Sequence, residues 1–214
     1  MNDLILHGYW RSSAAYRVRI ALHLKDIAYR QVTHDLRANA QSSAGYRALA
    51  PHGLVPAVQC GDLVLIESPA ILEWIEARWP EPALLPSDRD DAAIVRAMAA
   101  LIGCDIHPVN NLRILNALRT DFSASQSQID AWVSNWIGVG FEALEALIAR
   151  HGGTFAFGNR PTLADCYLAP QVYNAKRFGI GLDRYPNLQR VSEDTETLPP
   201  FIAAHPDRQP DADG

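Results

Sequence analysis

The sequence changes its periodicity once, and that change constrains the fold more than any other feature. Before residue 80, short apolar runs that suit strands alternate with amphipathic stretches that suit helices; from Asp88 onward no strand-like alternation appears. Between the two regimes Pro80, Pro82 and Pro86 crowd a short segment that reads as a linker over 81–87. A chain of 214 residues can bury two small cores. The expectation is an α/β domain over 1–80 and an all-α domain over 88–214. The polar, proline-bearing end, His205 to Gly214, is expected to be a mobile tail.

Within the first domain, Leu4 to His7 suits a buried strand, and Tyr16 to Lys25 suits a helix. Val18, Ala21 and Leu22 share the face that would meet a sheet, and Lys25 sits at the end where the helix dipole favours a cation. Tyr29 to Thr33 reads as a second strand, parallel to the first because a helix intervenes. Leu54 to Cys60, Gly61-Asp62 and Leu63 to Ile66 spell a hairpin with a two-residue turn. Ser68 is expected as the N-cap of a helix running from Pro69 to Trp79, with Ile71, Leu72 and Ile75 facing inward. Further on, helical patterns span 94–118, 126–149 and 163–178, the last opened by a Thr162/Asp165 capping box that is a folding signal with no chemistry.

Charge and cysteine usage narrow the function. Nineteen Lys and Arg against 24 Asp and Glu give a net charge of -5, mild and of the wrong sign for a nucleic-acid binder. The start of the chain lacks a basic stretch followed by an apolar run, and no uninterrupted apolar segment reads as a membrane span, so a cytoplasmic protein without membrane partners is expected. Cys60, Cys104 and Cys166 are too scattered for a disulfide framework or a zinc site and are expected to be reduced and buried, with no metal bound.

Chemistry concentrates in the loop Tyr9-Trp-Arg-Ser-Ser-Ala-Ala-Tyr16, between the first strand and the first helix. Its hydroxyls and amides lie at a helix N-terminus, where an anion such as a thiolate is stabilised. On residues alone, Ser12 and Ser13 are better explained as helix caps. Tyr9, Trp10 and Tyr16 read as packing or cleft walls. Glu67-Ser68 opens the next helix and offers an ammonium acceptor beside a carboxylate-holding helix end, although Ser68 also suffices as a cap. Pro56 can be simple punctuation before a strand, and His52 either an exposed loop histidine or an anion contact. Pro108 should bend its helix and turn the preceding His107 toward a cleft. Arg113 follows two turns later on a similar face, and Arg177 ends another helix, where an arginine is often only solvated.

The stretch Arg11-Ser-Ser-Ala-Ala-Tyr-Arg-Val-Arg-Ile-Ala-Leu22 closely resembles the signature of zeta-class glutathione transferases, which include maleylacetoacetate and maleylpyruvate isomerases. The resemblance implies a thioredoxin-like domain followed by a helical domain, a homodimer, and glutathione as cofactor. It puts Ser12 by the glutathione sulfur with Ser13 as supporting or alternative donor. It implies a cis-proline at Pro56, with the backbone of Val55 pairing with that of glutathione like an added strand. Glu67 and Ser68 would take the γ-glutamyl end, His52 the glycyl carboxylate, and His107 a ligand contact. Arg113 and Arg177 match basic positions of maleylpyruvate-type isomerases, and with Arg11 they are the candidates to hold the carboxylates and enolate charge of a small unsaturated dicarboxylic keto acid. The implied reaction is cis-trans isomerisation by thiol addition, rotation and elimination. Many members carry cysteine where Ala14 stands, and its absence disfavours thiol-exchange chemistry. A broad conjugating transferase or glutathione peroxidase would share the whole first domain. A non-catalytic transferase-like binding module would need none of Ser12, Val55-Pro56 and Glu67-Ser68.

Overall fold

A computed structural model describes residues 4–213, which divide into two compact units: residues 4–84 with 197–213, and residues 85–196. The first unit contains β1 (Leu4–Gly8), α1 (Ser13–Leu24), β2 (Arg30–Thr33), α2 (Ala44–Leu49), β3 (Ala57–Cys60), β4 (Leu63–Ile66) and α3 (Ser68–Arg78). Its four strands are ordered β2-β1-β3-β4. β2 runs parallel to β1, as a helical crossover requires, and β3 is antiparallel to both β1 and β4. The hairpin closes where Cys60 pairs with Leu63, on Gly61 at φ 61°, the positive φ that a two-residue turn needs at its first central position. Leu4, Leu6, Val18, Leu22, Val58, Ile71 and Ile75 form the core between the sheet, α1 and α3.

The second unit is helical: α4 (Arg89–Ala100), α5 (Leu112–Thr120), α6 (Gln126–His151), α7 (Leu163–Arg177) and α8 (Pro186–Glu196). The helix expected over 94–118 is interrupted rather than bent. After α4 a π-helical turn covers Leu101–Ile106, with the His107 N–H reaching Ile102 O at 2.9 Å; a 3-10 turn follows at Pro108–Asn110, and Asn111 caps α5. Pro108 has no N–H with which to continue the ladder. Arg113 therefore does not continue the His107 face, as an unbroken helix would have required. By length and mean hydropathy the run Arg89–Thr120 would suffice to cross a bilayer, which the sequence reading did not credit. In the fold, its Val95, Met98, Ile102 and Ile106 are buried.

The capping box at α7 forms as expected. Asp165 accepts from the N–H groups of Ala156 (2.8 Å) and Thr162 (2.7 Å) and from the Thr162 hydroxyl (3.0 Å). Burial pushes its carboxyl up to about 6, against the pull of those hydrogen bonds. The cysteines depart from expectation: Cys166 is buried, but Cys60 is only half-buried and Cys104 is exposed.

The chain then returns to the first unit through α9 (Pro199–Ala204), which packs against α1. This corrects two expectations. α1 starts at Ser13 and is buried continuously from Ser13 to Leu22, not along one stripe. A periodicity argument counts the sheet-facing side only, and a second partner arriving from the far end of the chain lies beyond it. The stretch expected to be a mobile tail is also fastened: buried Gln209 donates to Ala203 O (3.0 Å) and His205 O (2.8 Å), and Arg37 bridges Asp35 and Asp213. Its polar side chains find partners in the first unit and so do not require water.

The segment read as a linker is held at its near end. Lys25 Nζ donates to Trp79 O (2.6 Å) and Pro82 O (2.7 Å), while the Leu84 N–H donates to Glu76. α3 likewise begins one residue earlier than read: Glu67, at φ 67°, occupies the N-cap position without a side-chain cap, and Ser68 is helical.

Candidate functional site

The sheet brings separated segments to one end. β1 finishes at Gly8, β3 starts at Ala57 opposite His7, and β4 finishes at Ile66 opposite Ala57. The loop starting at Tyr9, the loop ending at Pro56 and the step Glu67-Ser68 therefore lie side by side. These segments carry Arg11, Ser12, Ser13, Val55, Pro56, Glu67 and Ser68, with His52 four residues ahead of Pro56.

Ser12 is the N-cap of α1, its Oγ accepting from the Ala15 N–H at 3.2 Å. A hydroxyl that accepts in this way keeps its own proton to donate. Ser13, at 7% exposure, contributes one of the first-turn amides that have no acceptor within the helix. No acidic residue lies in the first turn, so the positive end of the dipole is unopposed. Cap and anion donor are thus compatible roles for Ser12.

The Val55-Pro56 bond is cis. Tyr46 fastens the segment from behind, its hydroxyl donating to Leu54 O at 2.7 Å. Pairing of β3 with β1 begins at Ala57, which leaves Val55 ahead of the ladder. Glu67 presents a side chain 63% exposed, with His52 Nε2 at 3.7 Å from its carboxylate. His52 Nδ1 is buried and has no hydrogen-bond partner among the described residues. Ser68 is buried at the start of α3 and accepts from Arg17 Nη1 at 3.3 Å.

Arg17 is the residue of this neighbourhood that the sequence reading passed over. The available signal was the pair Arg17 and Arg19 inside an otherwise apolar helix. Both are buried, at 2% and 0% exposure, and buried guanidinium groups demand nearby acceptors.

The other three candidates belong to the helical unit. His107 is half-buried between the π-helical and 3-10 turns, and α7 packs against the π-helical turn. Arg177 is exposed in the last turn of α7 with Nη1 3.4 Å from Asn174 Oδ1, and Arg113 is exposed in the first turn of α5. Among the described residues no group of three or more metal-ligating side chains comes together.

Residues 11–78 match the family model for the glutathione S-transferase N-terminal domain, and residues 130–194 match that for the glutathione S-transferase C-terminal domain. The solved holo structure of a maleyl pyruvate isomerase, a bacterial transferase of the zeta class, superposes with a TM-score of 0.95 at 47% identity, covering 98% of this chain and 100% of that one. The chain belongs to the zeta class of glutathione transferases. A maleylpyruvate isomerase of a Ralstonia species is 47% identical to this transferase over 209 residues, 97% of this chain and 99% of that protein. A maleylacetoacetate isomerase from Anaeromyxobacter dehalogenans, solved with glutathione bound in its active site, is 45% identical with a TM-score of 0.89 and covers 100% of both chains. The expected architecture of a thioredoxin-like domain followed by a helical domain is that of this transferase.

The residues at the sheet end fit glutathione chemically. A helix N-terminus without acids suits a thiolate, exposed Glu67 suits an ammonium, the start of α3 suits a carboxylate, and the unpartnered His52 Nδ1 suits a further polar contact.

Proposed function

We propose that this transferase is a glutathione-dependent cis-trans isomerase of a maleyl keto acid, maleylacetoacetate or maleylpyruvate. The observation that carries the proposal is the convergence at one sheet end of the α1 N-terminus with Ser12, the Val55-Pro56 step ahead of β3 and Glu67-Ser68. Relatives covering nearly the whole chain carry both isomerase names.

When bound, glutathione supplies a thiolate that adds to the cis double bond, allows rotation about the resulting single bond, and leaves to give the trans isomer. The chain supplies everything else. The Ser12 hydroxyl and the first-turn amides of α1, including that of Ser13, hold the sulfur's negative charge and lower the thiol pKa. The Val55 backbone reads the peptide; Glu67 takes the γ-glutamyl ammonium and Ser68 with the α3 amides its carboxylate. His52 takes the glycyl carboxylate, and His107 is assigned a ligand contact. Arg11, Arg113 and Arg177 take the substrate carboxylates and the enolate charge that develops on addition. Ala14 removes the second thiol that a thiol-exchange reaction would use. A cytoplasmic homodimer is the form we assign to the working enzyme.

The test is the loss of ultraviolet absorbance of each cis substrate with and without glutathione. Turnover independent of glutathione would overturn the proposal, and conjugate accumulating in place of the trans acid would replace it with a conjugating transferase. Arg113→Ala should raise KM and depress kcat for the dicarboxylate; unaltered kinetics would remove Arg113 from the site.

A further inference from the structure

Trp10 lies two residues before Ser12, and side chains from outside the loop hold both of its main-chain polar groups. Its N–H donates to Asp211 Oδ2 at 3.0 Å, and its carbonyl accepts from Arg19 Nη2 at 2.9 Å. Arg19 Nε is itself anchored on Ala204 O at 2.9 Å. The second oxygen of Asp211 accepts from Gln31 Nε2 on β2 at 3.1 Å, which fixes the plane of the carboxylate. Inside the loop, the Ser12 N–H donates to Tyr9 O at 3.0 Å, so the backbone on either side of Trp10 is coupled to Ser12. Other charged groups nearby are Arg11, whose guanidinium lies 5.4 Å from the centre of the Trp10 ring, and Arg37, 5.9 Å from the Tyr9 ring, with its partners Asp35 and Asp213. A carboxylate carried almost at the end of the chain thus reaches the loop that presents the thiolate donor.

We infer that Asp211 is a positioning residue for the thiolate-binding loop: by holding the Trp10 amide it sets where the Ser12 hydroxyl and the α1 amides meet the sulfur. The inference rests on the proposed glutathione site. A displacement of the order of an ångström suffices to degrade such a constellation. The sign of the effect separates positioning from simple electrostatics. A nearby carboxylate charge disfavours a thiolate, so removing the charge alone would lower the thiol pKa, whereas releasing the loop would raise it.

The experiment is a pH titration of the thiolate absorbance of glutathione bound to the full chain, with kcat and KM measured alongside. Asp211→Ala is expected to raise the bound thiol pKa by about 1 unit and lower kcat at pH 6.5 by about tenfold, with glutathione KM changing by less than about twofold. Asp211→Asn can still accept from Trp10, and its amide can donate to a turned Gln31 side chain, so with the loop held and the charge gone it should bring the pKa back to the wild-type value or slightly below it. Asp213→Ala, which leaves Trp10 held, should match wild type. An unchanged or lowered pKa in Asp211→Ala would overturn the inference, as would an Asp211→Asn as displaced as the alanine. If Asp211→Ala fails to fold, Gln31→Leu frees one oxygen of the same carboxylate and should raise the pKa by a smaller amount; no shift there overturns the inference. A wild-type protein that shows no bound thiolate sinks the glutathione site itself, a result distinct from a normal wild-type signal that Asp211→Ala leaves untouched.

Discussion

The ammonium of Lys25, with no exposed side-chain surface, lies 2.7 Å from the carboxylate of Glu76. Lys25 also donates to Trp79 O and Pro82 O, and Glu76 accepts from the Leu84 N–H, so one ion pair ties the end of α1 to the chain leaving α3. Breaking such a pair from one side strands a charge. Lys25→Met, which keeps most of the apolar stem, should cost about 3 kcal/mol in urea unfolding. Adding Glu76→Gln removes the stranded charge and should recover part of the loss; a double variant no better than the single one would show that the backbone acceptors, not the charge, set the cost.

His7 and His34 approach within 3.0 Å through Nδ1 and Nε2, and the His34 ring lies 4.1 Å from that of Tyr46. Burial holds both imidazoles below their ordinary value of 6.5, with Arg30 adding to the effect at His7 and His7 adding to it at His34. The unfolded chain therefore takes up protons that the fold excludes. The stability these groups contribute is intact above pH 6.5 and is lost as the pH falls toward their lowered values. Asp165 acts in the opposite sense between its ordinary 3.8 and about 6, because its raised pKa makes the fold the better proton acceptor. A single unfolding curve would mix the two, so the comparison is between variants. His34→Gln should flatten the loss of stability between pH 6.5 and 5 relative to wild type, and parallel curves would sink the assignment.

Ser12 caps α1 and, in the proposed reaction, faces the sulfur. The two roles differ in size and can be separated. Ser12→Gly should cost only a few tenths of a kcal/mol as a cap, whereas Ser12→Ala should cost about 1 kcal/mol. Both should lower kcat by about 100-fold, because both remove the same hydroxyl donor. Activity that follows melting temperature across the pair would reduce Ser12 to a cap.

A β-carbon built on Gly140 of α6 would overlap Ile106 Cδ1, in the π-helical turn before His107. Ile106 has 0% exposure, so its side chain can yield only by displacing packed neighbours. Alanine gains about 1 kcal/mol of helix propensity over glycine, but overpacking typically costs about 1–3 kcal/mol, and with this overlap the overpacking should prevail. Gly140→Ala is expected to unfold at lower urea than wild type; a higher midpoint would mean that the turn yields easily.

Much of this protein was legible from short-range pattern. The order of elements, the Gly61-Asp62 turn and the Thr162/Asp165 capping box depend on residues within a few positions of one another, and each occurs in the structure. The signature from Arg11 to Leu22 marked the loop that the fold places at the sheet end. Arg17 went unnoticed because its meaning lies in Ser68, 51 residues away. Lys25 was read as a dipole partner although its acceptor at Trp79 is 54 residues on, and the supposed tail was read as mobile although Asp211 meets Trp10 across 201 residues.

The sequence by itself determined where most of the helices and strands form, because periods of 3.6 and 2 residues set which side chains share a face. It also determined which segments carry candidate chemistry. Only the tertiary structure decided which donors meet which acceptors. A buried arginine, lysine or aspartate is tolerated only beside a partner, and the identity of that partner depends on where the chain returns, which no local pattern encodes. That dependence is why a loop marked by its own residues is held, through Trp10 and Asp211, by the far end of the chain.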